Sequence, residues 1–401
     1  MPSTTAVLSP PRSVREAPPP RRIALFTGNY NHVQDGVSLT LNRLVRYLLG
    51  RGDEVLVFGP TVDDPPMDHA GDFVSVPSVP IPGRPEYRLT THMPRRLRRR
   101  LDAFAPDLVH IATPDVLGFR ALRWAQAAAV PVVASYHTHF PAYLKYYGVQ
   151  SMEGFMWKAG RWFYGQCEHV YVPSLSVAAV LRVHGITDGL RLWERGVDVS
   201  RFGPQERDLG WRRGFGIEDD EVLITFVGRL VLEKGLGIYA DVIEGLHARG
   251  LRVRSMMVGN GPARADMERR LPGTVFTGHL SGDALPKAYA SSDVFLFPSD
   301  TETFGNVTLE AMASGVPAVC ADATGASELV QHSTTGYLAP PGDPDSFLDA
   351  VARLVSSPER RACFGEAAIE RAYHYDWDAV LARLRSYYED VLAPHRASVP
   401  A

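Results

Sequence analysis

The chain has 401 residues, 45% of them hydrophobic, with a formal net charge of -3 and only three cysteines. That length and apolar content suffice for two large cores, most simply in two domains. The near-neutral charge excludes a global attraction to nucleic acid, so no nucleic-acid partner is expected. Cys167, Cys320 and Cys363 are odd in number and lack CxxC spacing, which argues against a disulfide framework and favours a reducing cytoplasm.

Residues 1–21, rich in Pro and Arg and ending in PPPRR, contain no apolar core of a secretory signal and read as a disordered tail. A buried-strand pattern, Ile23 to Thr27, then runs into a polar loop through Gly28 and Gly36. A helix with Val37, Leu41, Leu44, Val45 and Leu48 on one face follows, so the segment has the strand, loop and helix order of a phosphate site. Further strands are predicted at 54–58, 108–111, 132–135 and 170–172, alternating with helices near 93–104, 118–128, 151–167 and 174–184. Such alternation implies a parallel sheet covered on both faces. The longest apolar-biased run, Ala125 to Tyr136, is broken by Gln126 and Pro131 and falls short of the ~18 residues a membrane span needs.

After the Arg195-Gly196-Val197-Asp198 segment the pattern begins again. Strands are predicted at 222–227, 252–258, 275–277, 294–297 and 318–320, with helices from Gly235 and near 262–271, 283–290, 307–314 and 344–355. The reading is therefore α/β, with a first doubly wound domain over 22–195, a second over 196–373, and a C-terminal segment, 374–401, whose helix begins near Trp377.

The densest functional signal is Ser299 to Glu310, SDTETFGNVTLE, a turn that opens an apolar helix between two carboxylates. The first amides of a helix lack internal partners and carry the positive end of its dipole, which suits a diphosphate. Thr301 or Thr303 can cap this helix, and Gly305 lets a ligand approach the backbone closely. Glu310, about one turn inside, can accept from two vicinal hydroxyls such as those of a ribose, while Glu302 faces whatever lies beyond the phosphates. In GRLVLEKG, Arg229 and Lys234 put two cations at a strand's carboxyl edge, an arrangement suited to a diphosphate leaving group or equally to a solvated pair. The Met257 to Pro262 loop, with Asn260 and Gly261, and the Thr277 to Leu280 turn are weaker signals for a base or ribose.

In the first half, His137 and His139 close a strand in SYHTH. Either imidazole can donate to a sugar hydroxyl, or both can be structural. No third ligand is spaced to make a metal site of them. Asp343-Pro344-Asp345 reads as a turn. Arg95 to Arg100 forms a basic run on a helix whose apolar side is Leu97, Leu101 and Phe104; it is either a solvated face or a contact for anionic headgroups. Met152, Phe155, Met156, Trp157 and Trp162 could join such a surface but read better as core.

Together, GRLVLEKG, VGNGP, the Thr277 to Leu280 turn and SDTETFGNVTLEAMASGVPAV resemble the donor domain of glycosyltransferase family 4, retaining enzymes of the GT-B fold, over most of residues 190–340. SYHTH and LWERGVD look particularly like its sulfolipid-type and mannosyl glycolipid synthases. The resemblance implies two Rossmann-like domains facing across a cleft, with the last helix packed back on the first. It also implies that Arg229 and Lys234 grip a diphosphate, Glu310 the ribose, and Glu302 the transferred sugar. Phe304, Gly305, Asn306 and Val307 would give backbone donors, Asn260, Gly261 and Leu280 would complete the donor pocket, and His137 would lie near the anomeric centre. Gly36 would reach the phosphates on closure, although Asp35 stands where family members often have a second glycine.

The implied partners are a nucleotide-sugar donor, UDP- or GDP-linked, and a hydroxyl acceptor of lipid or glycolipid type. No cofactor or metal is expected, and the chain is placed in the cytoplasm, with peripheral attachment to the inner face of the membrane left open. Alternatives are a sugar-nucleotide 2-epimerase and a binding-only descendant of the same fold. The motifs specify neither base, sugar, acceptor nor oligomeric state.

Overall fold

The computed structural model describes residues 20–33, 35–81, 84–136, 153–300, 302, 304–323 and 325–397. In the first half β1 (Arg22–Phe26), α1 (Gly36–Gly50), β2 (Glu54–Gly59) and β3 (Asp72–Ser75) lead into a hairpin of β4 (Ser78–Ile81) and β5 (Arg84–Thr90). There follow α2 (Arg95–Phe104), β6 (Leu108–Ile111), α3 (Val116–Ala128), β7 (Val132–Ser135), α4 (Glu153–Tyr164), β8 (His169–Val172), α5 (Leu175–Val183) and β9 (Leu190–Leu192). Seven strands form one parallel sheet in the order β3-β2-β1-β6-β7-β8-β9.

The second half contains α6 (Leu209–Gly214), β10 (Val222–Val227), α7 (Leu236–Ala248), β11 (Val253–Val258), α8 (Arg264–Arg270), β12 (Val275–Gly278), α9 (Ala284–Ala290) and β13 (Val294–Phe297). It continues through α10 (Asn306–Ala313), β14 (Ala318–Ala321), α11 (Ala326–Leu329), β15 (Gly336–Ala339), α12 (Pro344–Val355), α13 (Pro358–Tyr373) and α14 (Trp377–Ala397). Its parallel sheet has six strands, β12-β11-β10-β13-β14-β15. Both sheets are doubly wound and reverse direction once, between β1 and β6 and between β10 and β13.

Strict two-residue alternation sorts the side chains of β1. Ala24 and Phe26 enter one core, with Leu101 and Leu122; Ile23 and Leu25 enter the other, with Leu41 and Leu44 of α1. The latter core is closed by α14, which inserts Val380, Leu381, Leu384, Tyr388, Val391 and Leu392 at helical spacing. Burying six such side chains stabilises the docking on the order of 10 kcal/mol before ordering entropy is counted. Arg385 adds an ion pair to buried Asp53 at 2.9 Å. The chain crosses between domains twice, and the two crossings pair: the Val197 amide donates to Tyr375 O at 2.8 Å and the Trp377 amide to Val197 O at 3.2 Å. A Cβ on Gly196 would stand 2.5 Å from the Trp377 ring, so only glycine fits there.

Several elements are absent from the expectation: β3, the β4–β5 hairpin, β9, β15, α6, α11 and α13. The segment expected to be a disordered tail, residues 1–21, lies mostly outside those described. Phe155 and Trp162, expected in the core, are 67% and 46% exposed, whereas Trp157 is buried. Helix α4 turns only Trp157, Phe163 and Tyr164 inward, so its apolar content exceeds what one packed face can hold. Asp343 is the N-cap of α12, accepting from the Ser346 amide, with Pro344 in the first turn.

Candidate functional site

In an open α/β sheet ligands bind beyond the carboxyl ends of the strands where the strand order reverses. In the second domain that point lies between β10, which runs into Gly228-Arg229, and β13, which runs into Pro298 and the Glu302 turn. The loop after β10 is held by backbone: the Leu230 amide donates to Asn260 O at 3.0 Å and the Ala263 amide to Leu230 O at 3.1 Å. The glycines of VGNGP have a different cause from the one expected. A Cβ on Gly259 would meet Gly228 O at 1.9 Å and one on Gly261 would meet Leu230 O at 2.2 Å, so their bare faces are covered by the neighbouring loop. The Arg264 guanidinium also donates to the Asn260 side-chain oxygen at 2.8 Å. Leu280 is half-buried against the domain core.

Gly235 adopts φ 73°, and its missing Cβ would lie 2.6 Å from Pro298 O. This contact brings Lys234 beside the turn that follows β13. The Lys234 ammonium forms an ion pair with the Glu302 carboxylate, both side chains about a fifth exposed, and lies 6.0 Å from the Phe297 ring. Arg229 is exposed, and its side chain has no ionic or hydrogen-bonding partner among the described residues.

Helix α10 starts at Asn306 behind Gly305, which takes φ 98° and has no side chain to cap the helix. The Leu309 amide donates to Gly305 O at 3.0 Å, so Leu309 is the first residue bonded back across this turn. Asn306 is exposed and Val307 half-buried, while the Phe304 ring is buried against Tyr375. Phe304 therefore has only its backbone to offer. Thr301 and Thr303 lie outside the described residues.

Glu310, one turn into α10, accepts from the Tyr289 hydroxyl at 2.8 Å. Burial raises its carboxyl to about 7, against the Tyr289 hydrogen bond and the Arg201 charge, which both lower it. A buried carboxylate with one neutral donor is under-satisfied and has capacity for further donors. Neither Tyr289 nor Gly325 was singled out from the sequence. Tyr289 is an ordinary core residue of α9 by pattern. Gly325, at φ 87°, lies against the donor turn, where a Cβ would meet Glu302 O and Phe304 N at 2.9 Å.

On the first-domain side, Gly36 is the first residue of α1, and a Cβ there would meet nothing within 4 Å. Asp35 is the N-cap, accepting from the Val37 and Ser38 amides at 3.1 and 2.8 Å and from Asn29 Nδ2 at 3.1 Å. Its carboxylate thus points into its own helix terminus and occupies amides that a phosphate would otherwise use. Arg195 donates to Gly36 O at 3.1 Å and to Thr40 Oγ1; burial lowers its guanidinium to about 10. His137 and His139 lie outside the described residues. Ser135, at the end of β7, is bonded to buried His110, which reaches Tyr388 of α14 on its other nitrogen at 2.7 Å.

Two family models match the chain: Glycosyltransferase Family 4 over residues 34–201 and Glycosyl transferases group 1 over 221–357. The chain is 35% identical to sulfoquinovosyl transferase SQD2 of Arabidopsis thaliana, over 92% of this chain and 73% of that one. It is 36% identical to a GDP-mannose-dependent alpha-mannosyltransferase of Mycobacterium tuberculosis, over 92% and 97%. The chain belongs to glycosyltransferase family 4. In fold this glycosyltransferase is similar to sucrose-phosphate synthase from Thermosynechococcus elongatus, with a TM-score of 0.70 at 20% identity, covering 93% of this chain and 100% of that one. Its fold is GT-B, and the epimerase and binding-only alternatives are not favoured.

The enzyme's donor-side candidates lie around one switch point, with Arg229 and Lys234 in the loop after β10 and Glu302 and the α10 terminus after β13. A separate cavity of about 610 Å³ lies at the hinge, lined by Arg43, Tyr47, Asp198, Asp376 and Trp377. Among the described residues no three His, Cys, Asp or Glu side chains converge as metal ligands would.

Proposed function

We propose that this glycosyltransferase transfers a hexose from a UDP- or GDP-sugar to a hydroxyl of a lipid or glycolipid, with retention at the anomeric carbon and without a metal. The Lys234–Glu302 pair carries the reading, because it sets a cation for phosphate and an acceptor for sugar hydroxyls side by side at a sheet switch point. Arg229, Lys234 and the α10 amides stabilise the charge that develops on the departing diphosphate. The acceptor hydroxyl attacks from the leaving-group side, and the departing phosphate takes its proton. Glu310 receives the ribose, and His137 stands near the anomeric carbon as the family resemblance implies. Asn260, Gly261 and Leu280 border the base.

The name of one relative supports GDP-mannose as donor, and that of another, an alpha-monoglucosyldiacylglycerol synthase of Streptococcus pneumoniae 24% identical over 92% of this chain, supports a glycolipid acceptor. Peripheral contact with an anionic membrane surface is part of the proposal. Arg95, Arg96, Arg98 and Arg99 of α2 are exposed, and the hairpin before them exposes Val79 and Leu89 at 48% and 44%. Each such cation contributes about 1 kcal/mol at an anionic surface. No helix among the described residues is long and apolar enough to cross a membrane.

The test incubates the protein with UDP- and GDP-sugars, with and without diacylglycerol vesicles, in the presence of EDTA. Nucleoside diphosphate release that depends on lipid, with the donor's anomeric configuration kept in the glycolipid by NMR, is expected. Inversion, or activity abolished by EDTA, contradicts the corresponding part of the proposal; donor isomerised without acceptor contradicts the whole.

A further inference from the structure

Glu328 lies in the second domain, yet its carboxylate binds the first. Its two oxygens accept from the Leu175 and Ser176 amides of α5 at 2.8 and 2.9 Å. Ser174, the N-cap, takes the Val177 amide at 3.2 Å, so the first three amides of α5 are satisfied, two of them by the opposite domain. A carboxylate at a helix N-terminus makes charge-assisted bonds aligned with the dipole.

The other end of this contact is the donor turn. Gly325, three residues earlier, packs against the backbone of Glu302 and Phe304, and Leu329, one residue later, stands 3.3 Å from the Cβ position of Gly305. Arg371 fixes the segment by donating to the Glu328 and Leu329 carbonyls at 2.6 and 2.5 Å. A short, braced segment therefore touches the turn carrying Glu302 on one side and the first domain on the other.

We infer that Glu328 is a positioning residue for transfer: it sets the first domain, and with it the acceptor, at a fixed separation from the sugar held at Glu302. The inference rests on the donor-site reading proposed above. Because the α5 terminus is at the surface, with Leu175 57% exposed, water replaces the lost acceptor in a variant and each domain stays folded. In the proposed donor site Arg229, Lys234, the α10 amides and Glu310 all belong to the second domain, so removing the carboxylate weakens alignment and leaves nucleotide affinity in place.

The experiment compares the full-length wild type, Glu328→Ala and Glu328→Gln. Amide hydrogen exchange at 175–176 reads the contact, calorimetry with UDP and GDP reads the donor site, and nucleoside diphosphate release with diacylglycerol vesicles reads turnover. In Glu328→Ala the two amides exchange at least tenfold faster and kcat falls at least tenfold, while the donor KM and nucleotide Kd stay within twofold. Glu328→Gln keeps one acceptor oxygen and falls between. Unchanged exchange at 175–176, or kcat within twofold of wild type once that protection is lost, overturns the inference. Failure of the wild type to bind either nucleotide overturns the donor-site reading, and this inference with it.

Discussion

Lys234 and Glu302, sixty-eight residues apart, are joined in an ion pair at the switch point of the second sheet. Neither is an independent ligand group. The carboxylate holds the ammonium in place, and on the proposed reading an incoming diphosphate must share it. Lys234→Ala removes a preorganised contact to the leaving group and is expected to lower kcat by about 100- to 1000-fold. A folded Lys234→Ala retaining more than about a third of wild-type turnover is incompatible with this role. Glu302→Gln combined with Lys234→Ala should cost less than the sum of the single changes, as members of a contacting pair do, read from a double-mutant cycle on kcat/KM.

Glu310 makes stability fall as pH rises. Its carboxyl titrates near 7 in the folded protein against 4.5 as its ordinary value, so the folded state binds more protons between those limits. Stability due to the neutral acid is present below about pH 4.5 and lost as pH approaches 7, by at most about 3 kcal/mol. Glu310→Gln removes this slope, and its melting temperature should overtake the wild type's on going from pH 5 to 8. If Glu310 receives the ribose as proposed, the same variant should also weaken nucleotide binding at pH 8, where the wild-type carboxylate is ionised.

His110 has the opposite sign. Burial lowers it from its ordinary 6.5 to about 3, held between Tyr388 and Ser135. The unfolded chain takes up a proton that the folded one refuses, so stability drops as pH falls from about 6.5 toward 3. His110→Phe leaves two buried hydroxyls without this partner and destabilises by roughly 1–3 kcal/mol at pH 7. The stability difference between pH 7 and 5 in urea should shrink by about 2 kcal/mol in the variant.

Gly325→Ala tests the brace beneath the donor turn. The position has φ 87°, and the new methyl would press on the Glu302 and Phe304 backbone. A loss of about 1–3 kcal/mol in urea is expected, together with weaker nucleotide binding, because the α10 entrance must shift. Unchanged affinity would show that the turn does not depend on this contact.

The sheets were legible because parallel strands buried on both faces read as continuous apolar runs, as in Val222–Val227, where every side chain is buried. The edge strands were not. Asp72–Ser75 has one buried residue in four, and the hairpin contains Pro80, so neither shows the pattern of a packed strand. In the candidate site, charge and glycine spacing marked Arg229, Lys234, Glu302 and Gly305, because few other roles require those types together. Spacing could not show that Asp35 would cap α1, that Gly259 and Gly261 would face neighbouring carbonyls, or that Glu328 would reach the other domain. Those depend on how loops distant in sequence meet.

Calorimetric titration of UDP and GDP into the wild type, Arg229→Ala and Lys234→Ala decides whether the second domain holds a nucleoside diphosphate with these cations. One nucleotide is predicted to bind the wild type, with affinity at least tenfold weaker in each variant and melting temperatures of the free proteins within a few degrees. Equal affinity in all three proteins, or no binding of either nucleotide to the wild type, would contradict it.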